Sequence, residues 1–140
     1  MTEKELTENE KKKEYLKSYQ RSVKREKDIL EEIQRLRLDK MFPSVANDGM
    51  PHGSRQTDLS DYAAVLDEMI EDLKQERLKR VQRQQEIEHR IRQIKDEDEQ
   101  RVLRLRYIKG LKWEEVAVEM GYSWQWTHKI HAEALKKIII

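Results

Sequence analysis

The side chains best suited to a chemical task are polar and aromatic groups late in the sequence. Trp124, Gln125, His128 and Lys129 recur at helical spacing, which places them on one side of a helix. The amide of Gln125 can pair with adenine, and Lys129 can donate to O6 or N7 of guanine. Trp124 can contact a thymine methyl group or a sugar edge. We therefore predict that these four residues lie next to the bases if this helix enters a DNA groove.

A second group precedes that helix and suits the phosphate backbone instead of the bases. Lys112 and Trp113 stand at the start of a short predicted helix, and Arg106 and Lys109 lie just before it. Cationic side chains and groups at helix starts are common phosphate ligands. We therefore predict backbone contacts at these four positions.

The sequence gives little support for catalytic, disulfide or metal-binding chemistry. The chain has no cysteine, which excludes disulfides and thiolate metal sites. His128 and His131 are three residues apart and could share a metal, but the sequence offers no third ligand at a suitable spacing. Asp48 and His52 lack a further carboxylate or histidine nearby. With no phosphate-binding glycine loop and no nucleophile motif, we predict no enzyme activity, no metal and no cofactor.

The stretch from Glu99 to Ile138 has the helices needed to position these groups. Gly110 ends a first helix, Gly121 ends a second, and Ser123 can cap a third. Two short helices joined by a turn of about 3–4 residues that contains glycine are typical of a helix-turn-helix. The predicted inner positions of these helices are apolar: Val102, Leu103, Leu105, Ile108, Trp113, Val116, Ala117, Met120, Trp126, Ile130, Ala134 and Leu135, with Tyr122 closing the core beneath.

Three positions on the last helix depart from this pattern or allow a second interpretation. Thr127 occupies a place where Val or Ile is expected, although it is also β-branched. Trp124 and Trp126 can serve as core or interface aromatics instead of DNA contacts.

The same stretch resembles region 4 of bacterial sigma-70-type factors, which binds promoter DNA with its last helix. The similarity rests on these segments: Leu103 to Tyr107, Gly110, Glu114 to Ala117, Met120 to Ser123, and Ala132 to Leu135. The chain as a whole resembles small phage late-gene regulators of the RinA and ArpU type. The leader segments that carry this resemblance are Tyr15-Leu16, Pro43-Ser44, Asp48 to Ser54, and Asp58 to Tyr62.

The first two thirds of the chain predict two long helices. Residues 3 to about 40 contain no glycine or proline, and Leu16, Tyr19, Val23, Leu30 and Ile33 form an almost heptad-spaced seam. A loop follows at about 41–57 and a second helix at about 58–95, in which Ile87, Ile91 and Ile94 form a stripe facing the C-terminal domain or a second subunit. We predict an all-α protein: a long antiparallel helical hairpin at 1–95 and a sigma-4-like helix-turn-helix DNA-binding domain at 96–140.

The charge and hydropathy of the chain limit the kinds of partner that it can bind. Charged residues make up 41% of the chain, yet the formal net charge is only +1. Residues 99–140 carry eight Lys or Arg against five Asp or Glu, whereas the preceding residues carry 21 against 23. Phosphate neutralisation dominates nucleic-acid affinity, so a lone domain with so small an excess predicts weak binding aided by a dimer or a protein. No apolar run reaches the roughly 20 residues that a membrane span needs. We therefore expect a soluble intracellular protein, and the resemblance to phage regulators implies the cytoplasm of a bacterial host cell.

The resemblance implies a sequence-specific DNA-binding activator of phage or prophage late, packaging-type genes that engages host RNA polymerase. One alternative is an adaptor that contacts RNA polymerase or a phage protein without binding DNA itself. Another is a structural coiled-coil oligomer, because the sequence leaves open whether the long helices pair within one chain or in a homodimer. The DNA target and the direction of regulation are also left open.

Overall fold

All regular secondary structure is helical in the part of the chain that the computed structural model describes, residues 2–41 and 55–140. This confirms the predicted all-α class. Five α-helices and one π-helical turn occur in these ranges: α1 Glu3–Met41, α2 Arg55–Arg92, α3 Glu97–Leu103, the π-helical turn Arg104–Ile108, α4 Trp113–Met120 and α5 Trp124–Lys137. None of the helices in these ranges is both long and apolar enough to cross a bilayer.

The long helices match their predicted extents closely. α1 ends at Met41, and α2 begins three residues earlier than predicted, at Arg55, and ends at Arg92. The end of α2 is a turn in which the backbone N–H of Ile94 donates to the carbonyl of Ile91 over 3.0 Å. The predicted turn elements Pro43-Ser44 and Asp48 to Ser54 lie outside the described residues.

One compact unit combines the start of the chain with its last third. This core unit comprises Met1–Ser22 and Arg80–Ile140. Within it, Tyr15 donates to Glu86 over 2.7 Å and Tyr19 to Gln84 over 3.3 Å, so the α1 and α2 segments run antiparallel. The predicted domain at 96–140 is therefore packed together with residues from both long helices.

The core unit has an apolar interior that is shielded from solvent. Among its described residues, the fully or almost fully buried apolar side chains are Leu16, Tyr19, Ile87, Ile91, Ile94, Val102, Leu103, Leu105, Tyr107, Val116, Ala117, Met120, Ile130, Ala134, Leu135 and Ile138. The stripe Ile87, Ile91 and Ile94 is thus buried inside the unit that also contains the C-terminal helices. Ile138 is buried too, whereas the two isoleucines after it are exposed.

The second unit, Val23–Lys79, is a two-helix unit. Its helix segments also run antiparallel, since Arg25 pairs with Glu76 at 3.3 Å, whereas Lys40, further along α1, lies 5.5 Å from the ring centre of Tyr62, nearer the start of α2. The predicted seam is only partly correct, because Ile33 is buried but Leu30 is 38% exposed. A helix that packs against one neighbour buries only a narrow stripe, and Leu30 lies beside that stripe.

Candidate nucleic-acid interface

The segment before the helix-turn-helix changes its winding at the predicted backbone-contact residues. Asp96 caps α3 by accepting a hydrogen bond from the backbone N–H of Glu99 over 2.9 Å. The helix then widens into a π turn, where the N–H of Lys109 donates to the carbonyl of Arg104 over 2.9 Å. Gly110 ends it with φ +71°, a backbone conformation that strains most other residues. The expected end at Gly110 is correct, but the sequence did not predict the π turn.

The two helices of the predicted motif are present with a three-residue turn at 121–123. Gly121 has φ +72°, and its N–H donates to the carbonyl of Ala117 over 3.0 Å. Ser123 begins α5, because its hydroxyl accepts the backbone N–H of Trp126 over 3.1 Å. A left-handed glycine after one helix and a serine cap before the next are the local signals that set this turn. Both roles agree with the sequence-based prediction.

The inner face of α5 differs from the prediction by one residue. Thr127 is 1% exposed, whereas Trp126 is 51% exposed and lies outside the core. The hydroxyl of Thr127 donates to the carbonyl of Ser123 over 2.8 Å, so this polar group is satisfied although it is buried. The predicted core position of Trp126 is therefore wrong, and the large aromatic ring is available at the surface.

Tyr122 is also displaced from its predicted place. Its side chain is 39% exposed and its hydroxyl donates to Asp98 over 2.7 Å. That hydrogen bond and the negative charge of Asp98 raise the pKa of the tyrosine above its usual value. Tyr122 thus ties the turn between α4 and α5 to the start of α3 instead of closing the core.

Four of the predicted contact residues form one stack at the surface of the core unit. The guanidinium of Arg106 lies 4.8 Å from the ring centre of Trp113, which is 4.3 Å from the ring of His128. The His128 ring is in turn 3.9 Å from that of Trp124. The backbone-contact and base-proximal residues predicted from the sequence therefore meet at this aromatic stack, which holds Trp124 from one side.

His128 is less free than the sequence suggests. It is half-buried between the two tryptophans, and its Nε2 atom is buried without a hydrogen-bond partner among the described residues. Burial first, and then the positive charge of Arg106, lower its pKa. His128 is therefore neutral at pH 7 and acts in the stack as an aromatic ring, not as a cation.

Arg106 is likewise held in place. It donates to the carbonyl of Leu111 over 2.8 Å while its guanidinium lies over Trp113. Both contacts keep its charge at the beginning of α4. Lys109 and Lys112 are exposed next to it, so three cations lie around the entry to the motif.

The remaining base-proximal candidates are open to solvent. Gln125 is exposed in the first turn of α5, and Trp124 is 51% exposed. Lys129, one turn further on, is exposed and its Nζ lies 5.9 Å from the ring centre of Trp126. The first two turns of α5 therefore present an aromatic ring, an amide and an ammonium group to the surroundings.

His131 has a structural role, which the sequence did not reveal. It is 6% exposed, and its Nε2 lies 2.7 Å from the Tyr107 hydroxyl. Burial lowers the pKa of His131 to about 3 and raises that of Tyr107 to about 12. At neutral pH the protonated phenol therefore donates to the neutral imidazole. His131 is therefore not part of the exposed face of α5. The part of the chain that the structure describes has no cluster of three potential metal ligands.

Two residues of α1 make contacts that support this domain and that the sequence did not predict. Lys12 Nζ donates to the carbonyl of Leu135 over 2.8 Å, at the end of α5. Gln20 Nε2 donates to the carbonyls of Tyr107 and Ile108 over 3.1 and 2.8 Å, at the end of the π turn. No local sequence signal connects residues this far apart along the chain.

Fold and surface together define an all-α protein with a helix-turn-helix segment whose second helix has an exposed polar and aromatic start. More particularly, the chain belongs to the family described as Protein of unknown function (DUF1492), whose model matches residues 40–138. No curated protein and no solved structure matches the chain.

Proposed function

We propose that this protein binds double-stranded DNA sequence-specifically through α5 and regulates transcription. The observation that carries the proposal is the exposed start of α5, where Trp124, Gln125 and Lys129 point away from a buried inner face. In helix-turn-helix proteins the N-terminal residues of the second helix contact base edges in the major groove. An amide and an ammonium group at this position have the donors and acceptors that distinguish adenine and guanine.

The stack supports the same proposal by limiting the freedom of these groups. Trp124 packs on His128, which packs on Trp113, so the first turn of α5 is held by side chains as well as by the Ser123 cap. A contact residue that is already ordered loses less conformational entropy on binding. Lys109 and Lys112 add exposed cations for the phosphates beside the groove.

The biological setting of the proposal comes from the sequence resemblance. Similarity to the RinA and ArpU type implies an activator of phage or prophage late, packaging-type genes, acting with host RNA polymerase in the bacterial cytoplasm. A homodimer would place two α5 helices on successive half-sites about 34 Å apart. It would also add to the small positive charge of residues 99–140.

One observation favours the alternative of a protein-binding adaptor. Trp126 is half-exposed beside a shallow cleft of about 280 Å³ that is also lined by Asp98, Glu133 and, at the side of the predicted base contacts, Lys129. Carboxylates repel phosphate, whereas an exposed tryptophan is a frequent anchor at protein interfaces. This flank of α5 suits a protein such as RNA polymerase better than it suits DNA.

The test begins with selection of duplexes from a random pool, followed by affinity measurements for the selected and a random duplex at matched salt. The double variant Gln125→Ala with Lys129→Ala should lose its preference for the selected duplex, about 10-fold or more, because each good base contact contributes roughly 1–3 kcal/mol of discrimination. Its far-UV circular dichroism should remain that of the wild type.

The matched control is Gln85→Ala with Lys95→Ala, which removes the same groups from exposed positions outside α5. This variant should keep the preference. Equal preference in the wild type and the α5 variant would refute the assignment of the reading residues. Absence of any wild-type complex at low salt would refute DNA binding and favour the adaptor.

A further inference from the structure

The N-terminal part of α1 lies along the proposed DNA-binding domain and is held there at two points. Lys12 bonds to the carbonyl of Leu135 at the end of α5, and Gln20 bonds to the carbonyls of Tyr107 and Ile108 at the end of the π turn. The two anchors are eight residues apart, about 12 Å along a helix. The intervening side chains of α1 therefore have defined positions beside the domain.

Two lysines between these anchors share the side of α1 on which Gln20 lies. Lys13, Lys17 and Gln20 follow one another at spacings of four and three residues, which align along one helix side. Leu16, on the adjoining side, is fully buried. The Lys13 side chain is 35% exposed, and Lys17 is exposed.

The electrostatics of α5 agree with this position of Lys13 beside the domain. The positive charge of Lys13 contributes, after burial, to the lowered pKa of His131 and also lowers that of His128. These histidines lie on α5 beside Trp113, and the positive charge of Arg106 lowers the same two pKa values. Its surface pair with Glu10, at 3.7 Å, is of a kind that contributes less than about 1 kcal/mol. Exchange of that carboxylate for a phosphate therefore costs little.

We propose that Lys13 and Lys17 of α1 form a second row of phosphate contacts for the DNA duplex bound by α5. The inference rests on the proposed function and extends its site from the helix-turn-helix to the first long helix. Each neutralised phosphate releases counterions, and this release supplies nearly all of the non-specific affinity of a protein for duplex DNA. A row on α1 supplies cations that the modest charge of residues 99–140 lacks.

The experiment compares salt dependence for a random duplex of about 30 base pairs in full-length variants. Lys13→Gln with Lys17→Gln should make the negative slope of log affinity against log salt shallower by about 2, and should lower the affinity on the order of 50-fold near 0.1 M salt. The charge-conserving variant Lys13→Arg with Lys17→Arg should keep the wild-type slope. Lys17→Gln alone, a change at an exposed position, should make the slope shallower by about 1.

The matched control is Lys4→Gln with Lys11→Gln. Both residues are exposed on α1, and at about 100° per residue they lie on the side opposite Lys13 and Lys17. This control should leave the slope unchanged. If the wild type binds and the Lys13 and Lys17 variants keep its slope, the second row is refuted while the proposed function stands. If the wild type binds no duplex even at low salt, both proposals fail together.

Discussion

The two compact units use the same kind of helix in different ways. The core unit buries a large set of apolar side chains, many with no exposed surface. In the two-helix unit, Ile33 is the one buried side chain among the described residues, and Leu38, Leu59, Val65 and Leu78 are about half-exposed. Helices in the core unit have several neighbours, whereas a pair of helices covers one stripe on each partner.

This difference shows where a surface site can be held rigidly. The stack of Arg106, Trp113, His128 and Trp124 rests on helices whose inner faces are fully covered. The two-helix unit pairs charged side chains across its helices, as in Arg25 with Glu76, but a partly exposed ion pair of this type contributes little to stability. We therefore expect the core unit to carry most of the free energy of unfolding.

The largest effect is expected from a leucine truncation in each unit, which tests whether the core unit carries most of the free energy of unfolding. Leu103→Ala should lower the free energy of unfolding by about 3 kcal/mol, because Leu103 is fully buried and a cavity remains. Leu78→Ala should cost less than about 1 kcal/mol, since Leu78 is 52% exposed. Urea unfolding followed by far-UV circular dichroism measures both variants.

Amide hydrogen exchange then shows in which unit each leucine variant loses stability. All three tryptophans lie in the core unit, so their fluorescence reports that unit alone, and amide exchange reports both. Similar losses in the two variants, or slower exchange in residues 55–79 than in residues 97–137, would contradict the proposed distribution of stability.

The next effect is a pH dependence that belongs to the core unit. The pKa of His131 is lowered from 6.5 to about 3, chiefly by burial and further by the positive charge of Lys13. Between these values the unfolded chain binds a proton that the folded chain does not, so stability falls as pH decreases through this window. The slope is up to about 1.4 kcal/mol per pH unit.

The pH effect can be isolated in a His131→Gln variant. Its free energy of unfolding should depend less on pH between about 6.5 and 5, above the range in which most carboxylates titrate. His128, whose pKa is lowered as well, contributes in the same direction and remains in the variant. Urea unfolding at several pH values measures both chains, and identical pH profiles would show that His131 does not remain neutral in the folded protein.

The smallest effect compares one tyrosine hydroxyl from each unit. Tyr107→Phe should cost about 1–2 kcal/mol, because it removes the donor to the buried Nε2 of His131. Tyr62→Phe should cost less than about 0.5 kcal/mol, because Phe keeps a ring near Lys40 Nζ, which lies 5.5 Å from the ring centre. Thermal unfolding of the two variants measures both losses of stability. A larger loss of stability in Tyr62→Phe than in Tyr107→Phe would contradict the comparison of the two units.

Much of the fold was predictable because its signals are local. Gly110, Gly121 and Ser123 mark helix ends through their own backbone preferences and hydrogen bonds to nearby residues. The candidate site was predictable in composition, since the stack contains four of the predicted contact residues. Its arrangement was not predictable: hydropathy favoured Trp126 for the core, and the hydrogen bond that satisfies buried Thr127 becomes visible only in the folded helix.

The sequence by itself determined an all-α chain, the positions of its helix ends and the residue types at the start of α5, because these depend on neighbours within about four residues. Tertiary structure decided which helix faces are buried and that the first helix belongs beside the last. The contact of Lys12 with Leu135 joins residues separated by 123 positions. Such a contact depends on how helices distant along the chain pack together, which no local pattern in the sequence encodes.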